Sequence, residues 1–248
     1  MTTQRGFTLI EMAIVLVIIT ILIGGLAMPL SAQIQARRVA ETKKTLEEAR
    51  DALMGYAMMT TITNPATPGK ITRYFPCPDT VGTGYEGARD LSSGNCINGT
   101  TGGVSYGWLP WVTLGTASQD AWGNRLRYVV ASQFANSKTG FSRSTPLGGT
   151  PPKICSTSSC SALVANNVVF ALVSHGPNGW GALNISTVKL AQPTGADEIR
   201  NLALSSDLVM RTPTTADSAL GEFDDLVAWM SQPELTAHVC PIGSDCDQ

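Results

Sequence analysis

The chain has 248 residues, a formal net charge of −2 and only 15% charged side chains, which excludes the clearly basic surface that nucleic-acid binding needs. Glycine (24 residues), Ser, Thr, Asn and Pro are plentiful, the composition of a loop-rich, β-containing extracytoplasmic domain and not of a cytosolic helical enzyme. All six cysteines, Cys77, Cys96, Cys155, Cys160, Cys240 and Cys246, lie beyond residue 76, and their even number points to disulfides formed in an oxidising compartment.

The first predicted element is apolar. Residues 12–30 carry no charge, and at about 1.5 Å per residue a helix over them spans roughly 28 Å, the thickness of a bilayer core. A cleaved secretory signal would have a shorter core followed by a small-x-small site, and the best candidate, Leu30-Ser31-Ala32, has a large first residue. An ordinary anchor fits the length but explains neither Glu11 nor the Gly6-Phe7 boundary. The octapeptide R-G-F-T-L-I-E-M, residues 5–12, resembles the leader and cleavage site of type IV pilins and of type II secretion pseudopilins. A short basic leader, then Gly, then Phe, then Glu at the fifth residue after the Gly, opens an unbroken apolar run in both.

That resemblance implies a prepilin peptidase as partner. It cuts between Gly6 and Phe7 on the cytoplasmic side and methylates the Phe7 amine. The leader is then residues 1–6 and the transmembrane, later filament-core, helix is residues 7–30. Arg5 holds the leader inside by the positive-inside bias, so the carboxy-terminal domain lies on the periplasmic or extracellular side of a bacterial inner membrane. The resemblance also gives Glu11 a role: in the filament it neutralises the Phe7 amine of a neighbouring subunit. Losing one member of such a buried pair costs about 3–5 kcal/mol. The alternative is a Glu11 that merely reaches to the membrane interface. Membrane lipid, other pilin or pseudopilin subunits and an inner-membrane assembly platform are the remaining implied partners, and no nucleic acid is expected.

Beyond Pro29 the pattern turns amphipathic. Val39, Thr42, Leu46, Ala49, Leu53, Tyr56 and Ala57 recur at spacings of three and four, which predicts a helical continuation over 31–59, ending before Asn64-Pro65. Gly24, Gly25 and Pro29 weaken the helix, and a kink and a segment that melts on assembly are both open.

Residues 60–248 read as one globular domain. Residues 60–107 are a long connection, whose Asp79 and Glu86 are either a loop metal site or plain surface. Leu126, Tyr128 and Val130 alternate after the Trp122-Gly123-Asn124 turn signal and predict a strand. Residues 132–162 look loop-like and exposed. N-N-V-V-F-A-L-V-S-H-G-P-N-G (166–179) predicts a buried strand and turn, and E-F-D-D-L-V-A-W-M-S (222–231) another strand. One long helix followed by strands is an α+β pattern, the helix packed on an antiparallel sheet with long disulfide-bearing loops. Six cysteines allow many connectivities. Cys77–Cys96, Cys155–Cys160 and Cys240–Cys246 are favoured because each closes a short loop, while zinc on Cys240, Cys246 and His238 is the competing reading.

D-x-W-G-N-x-x-x-Y, S-x-G-x-N-G and D-D-L-V-x-W are similar to segments of pseudopilin ectodomains. The major pseudopilin of type II secretion binds calcium in a loop before its last strand. This resemblance implies Asp224 and Asp225 as calcium ligands, with Ser174 and Asn178 nearby, although the interval between the motifs is longer here. Otherwise Asp224 caps a turn and Asp225 faces solvent. No catalytic constellation is evident. Ser174 and His175 are adjacent in a strand and point to opposite faces, no G-x-S-x-G elbow occurs, and Asp224 and Asp225 share one element, unlike a glycosidase pair. The reading is therefore a non-enzymatic filament subunit, a minor pilin or pseudopilin. A membrane-anchored adhesin is the alternative, and it requires exposed aromatics among Tyr74, Phe75, Tyr85, Tyr106, Phe134 and Phe141.

Overall fold

The computed structural model describes Gly6, residues 8–63, Gly69, residues 71–203 and residues 205–247, without the side chains of residues 23–29. Phe7, and with it the cleavage bond, the methylation site and one half of the charge pair, lies outside the described residues, as does Asn64-Pro65. The chain divides into two units, residues 1–40 and 41–248.

Helix α1 (Leu9–Met59) runs through both, and its backbone stays helical across Gly24, Gly25 and Pro29. In the first unit the described apolar side chains of residues 9–22 are uncovered, with Leu9, Ile10 and Leu16 all more than half exposed. Among the described residues no helix is long and apolar enough to cross a membrane; the uncharged run 12–30 includes the seven residues whose side chains are not described.

In the second unit the same helix is half of a core. Thr42, Leu46, Ala49, Leu53 and Ala57 are buried, the face that their spacing predicts. Leu46, Ala49, Leu53 and Ala57 share a core with Tyr128, Val130, Phe170, Leu172 and Met230 of a five-stranded antiparallel sheet, while Thr42 Oγ1 accepts from the Ala121 amide. Leu53 is fully buried, and its burial alone contributes about 1.5–3 kcal/mol. The sheet order is β10-β8-β5-β4-β3, made of β3 (Thr100–Thr101), β4 (Val104–Trp108), β5 (Arg127–Ala131), β8 (Val168–Ser174) and β10 (Leu226–Ser231). Central β8 is buried on both faces, which is why its sequence is an unbroken apolar run and not an alternation.

The second face carries a smaller core of Val104, Val129, Ala171 and Val173 against Ile154 and Leu208. Those two come from a three-stranded sheet of β7 (Leu163–Ala165), β6 (Lys153–Cys155) and β9 (Asp207–Val209). The sheet under α1 is antiparallel, as expected, and this second sheet adds a parallel pair, β6 with β9. The chain between them builds β8 and helix α3 (Ala196–Leu202) before returning, the long crossover that a parallel pair requires. Residues 60–107 also hold more than a connection, since β1 (Thr61–Thr63) pairs with β2 (Ile71–Arg73). Helix α2 (Trp111–Leu114), a 3-10 turn (Ser132–Ala135) and helix α4 (Gln232–Val239) are the other helical elements, and the Ser231 hydroxyl caps α4 by accepting from the Glu234 amide.

The cysteines are bonded Cys77–Cys96, Cys155–Cys160 and Cys240–Cys246, so zinc on Cys240 and Cys246 falls away. Three aromatics that the adhesin alternative needs at the surface are instead core. Phe75, Phe134 and Phe141 are fully buried and stack on one another, with ring centroids 5.4 Å apart for Phe75–Phe141 and 5.1 Å for Phe134–Phe141. The loops that carry them fold back over the end of the sheet. Asp79 is buried too, and accepts backbone N–H groups of Val81, Gly82 and Gly84, so it shapes its own loop. Glu86 joins the helix to this loop: Tyr56 Oη donates to it (3.1 Å), as do the Cys77 amide (3.0 Å) and Arg89 Nε (2.7 Å).

Candidate functional site

Two places carry the predicted functional residues, one in each unit. At the amino terminus, Thr8 precedes the first helical residue, and Glu11 stands three positions on. The Thr8 amide and hydroxyl both donate to Glu11 Oε2 (2.8 Å each), and the Glu11 amide donates back to Thr8 Oγ1 (3.4 Å). This is a reciprocal capping box, which satisfies amide groups that a helix start leaves without partners. The carboxylate therefore has a local task in the single chain, one that the T-x-x-E spacing holds but that was missed in the sequence.

The second place lies where β8 and β10 meet. The turn after β8 packs against the residues that lead into β10. Gly176, at φ +57°, comes so close that a Cβ there would press on Asp224. Asp224 and Asp225 fall beside Glu198 from the first turn of α3, and one carboxylate oxygen of each lies within 4.8 Å of the others. Asp225 is fully committed: His175 Nδ1 donates to Oδ1 (3.3 Å) and Asn201 Nδ2 to Oδ2 (2.7 Å). Glu198 Oε1 accepts from the Asp224 amide (3.1 Å) and from Asn178 Nδ2 (3.2 Å), while its Oε2 is buried with no partner. Asp224 Oδ2 accepts from the Asn178 amide (3.0 Å), while its Oδ1 is likewise buried and without a partner. Glu198 is 2% exposed and Asp225 4%, so the solvent-facing alternative for Asp225 does not hold.

Crowding carboxyls in one partly dry place disfavours the charged forms of Asp224 and Glu198. Burial pushes the Asp224 carboxyl up to about 7; the Asn178 amide opposes this, and the charges of Glu198, Asp225 and Glu222 add to it. Glu198 is raised by burial and by the charge of Asp225. A cleft of about 470 Å³, lined in part by Glu222, Phe223 and Asp224, opens beside the cluster. Ser174 turns the other way: its hydroxyl donates to Asp120 Oδ2 (2.6 Å). It is thus separated from His175, and no nucleophile–base pair exists there.

Residues 1–27 match the family model of the prokaryotic N-terminal methylation motif. The chain carries a type IV prepilin-like signal. No curated protein and no solved structure matches it. The motif marks a prepilin-type processing substrate of the pilin and pseudopilin kind, and implies processing by a prepilin peptidase and assembly with pilin subunits. The α+β body, one long helix packed on an antiparallel sheet, is consistent with a pilin-type fold.

In this prepilin-type chain the structure brings together Asp224 and Asp225, as their adjacency requires, and sets Asn178 against them. Glu198 was missed. It lies in A-D-E-I-R, a short polar helix with no motif around it, and only the fold carries it to the cluster. Asp120 was missed as well, although its place ahead of Trp122-Gly123-Asn124 is a turn signal: its Oδ1 accepts from the Trp122 and Asn124 amides.

A proton is held by native Asp224 between its ordinary value of 3.8 and about 7, and the unfolded chain releases it, so Asp224 subtracts stability as pH rises across that window. In chelator, urea unfolding will show Asp224→Asn gaining stability over the wild type as pH rises from 4 to 7. A difference that stays constant with pH would contradict the raised carboxyl.

Proposed function

We propose that the chain is a structural subunit, a minor pilin or pseudopilin, processed at Gly6–Phe7, methylated on Phe7 and assembled into an extracytoplasmic filament. The observation that carries this reading is the pairing of a prepilin-like signal with a helix whose first unit leaves its apolar side chains uncovered. Such a surface needs a bilayer or other helices around it. In the proposed order, residues 7–30 lie first in the inner membrane and then in the filament core, residues 31–59 continue the helix, and residues 60–248 form the extracytoplasmic domain. Three disulfides suit the oxidising side of that membrane. The assembly platform, other subunits and lipid are the partners of this cycle, and Glu11 pairs with the Phe7 amine of a neighbour. No chemistry is assigned to the domain, whose role is to pack and present surface. Of the six aromatics that the adhesin reading draws on, Phe75, Phe134 and Phe141 are core, Tyr74 and Tyr106 are half-buried, and only Tyr85 is exposed.

Mass spectrometry of the chain extracted from its native membrane tests the processing. A chain beginning at methylated Phe7 is the expected result, and an intact Met1 or a start at Gln33 would overturn the proposal.

The same proposal includes a calcium ion held by Glu198 and Asp224, with Asn178 alongside and Asp225, whose oxygens already accept from His175 and Asn201, adding negative charge; Ser174, turned to Asp120, falls outside it. Hard carboxylate oxygens are the ligands calcium prefers, and the two partnerless buried oxygens of Glu198 and Asp224 fit a cation better than they fit each other. The ion would clasp α3 to the start of β10. Calcium is expected to raise the melting temperature of the full chain saturably, and Glu198→Gln to remove most of that rise. An equal rise in the variant would exclude the site.

A further inference from the structure

Arg127 opens β5 with its side chain on the face turned away from α1, since Leu126 and Tyr128 belong to the helix-side core and Val129 to the other. The ladder sets Trp108 on one side of it and Val173 on the other. Only 6% of the residue is exposed. Its guanidinium makes no hydrogen bond or ion pair with a described residue, and Nε is enclosed without a partner. The Trp108 ring, 5.9 Å from the guanidinium carbon, is a partial substitute. Asp225, a carboxylate whose charge reaches Arg127, has both oxygens taken by His175 and Asn201. Burial pulls Arg127 down to about 10, which leaves it a cation at neutral pH. A buried cation with no hydrogen-bonded anion is among the costlier things a fold can hold, and the charge of Asp225 reaches it without a hydrogen bond.

Arg127 lines a cavity of about 310 Å³ with Trp108, Lys189, Gln192, Ile199 and Leu202. Two cations and an amide stand in it against one indole and three aliphatic side chains, Ala203 being the third, and none of the described residues that line it is acidic. A guanidinium fork matches a carboxylate with two parallel N–H donors. Inorganic phosphate would leave several oxygens against the hydrocarbon of Ile199 and Leu202, an unfavourable burial. We propose that this cavity binds a carboxylate carrying a short apolar body, Arg127 supplying the paired donors and Lys189 the second positive charge. The carboxylate comes either from a free organic acid or from an acidic side chain of a second copy of this chain. The proposal does not depend on the filament reading.

Calorimetric titration of the full chain in detergent with sodium butyrate tests it, with butanol and sodium phosphate as controls. Butyrate is expected to saturate one site, Arg127→Gln to abolish binding and Lys189→Gln to weaken it about tenfold, while butanol gives no signal. Lys189 is exposed, so its variant keeps the test valid if Arg127→Gln does not fold. No saturable binding, equal affinity in Lys189→Gln, or equal binding of butanol or phosphate would each overturn the proposal. An organic acid released on denaturing the purified chain assigns the free ligand, and butyrate competing with association between copies assigns the side chain.

Discussion

Everything in the domain hangs on one contact, the stripe Leu46, Ala49, Leu53 and Ala57 against the aromatic and branched side chains of β5, β8 and β10. Because the helix covers that face, the sheet can be apolar there without a second sheet. The end of the helix then becomes the anchor for the loops. Tyr56 donates to Glu86, which holds the Cys77 amide and Arg89. Arg73 bonds the Met58 carbonyl and, through a two-pronged ion pair, Asp245 beside the last disulfide. Loops that are poor in apolar residues thereby gain fixed positions from polar ties and from covalent closure. The opposite face of the sheet, relieved of the helix, has room for charged side chains, and both Arg127 and the His175–Asp225 pair lie on that side.

The helix was legible because its signal is long and periodic: the spacing of Thr42, Leu46, Ala49 and Leu53 predicts the buried face, and the end at Met59 follows from the loss of that pattern. Strands β5, β8 and β10 were legible from alternation and from an apolar run. What escaped was long-range. Phe75, Phe134 and Phe141 sit in Gly- and Ser-rich surroundings that read as surface, and only the return of three separate loops to one place makes them a core. The parallel pairing of β6 with β9 links short segments separated by two strands and a helix, and neither has a pattern of its own. At the carboxylate cluster, Asp224 and Asp225 stood out as a doublet. Glu198 did not, because an acidic residue in the first turn of a helix is ordinary chemistry. Arg127 was hidden by the same alternation that revealed its strand, since attention to Leu126, Tyr128 and Val130 passes over the residue between them.

The amino-terminal carboxylate joins two kinds of argument. Within one chain Glu11 closes a capping box with Thr8, a task a glutamine could share. In the proposed filament it also balances the amine of a neighbouring Phe7, a task that needs the charge. The two tasks fit in sequence: the cap pre-organises the carboxylate at the start of the helix, where an incoming amine can meet it. An apolar helix with one held carboxylate is then suited to leave lipid for a core of other helices.

Glu11→Gln separates these tasks more directly than any other change, because it keeps the capping geometry and removes the charge. The decisive measurement is the fraction of the variant recovered in sheared filaments against the fraction retained in the membrane, beside the wild type. The account predicts a variant that is processed and membrane-retained but about tenfold or more depleted from filaments, in line with the cost of an unpaired buried amine. Incorporation equal to the wild type would show that Glu11 serves only as a helix cap and would contradict the charge pair.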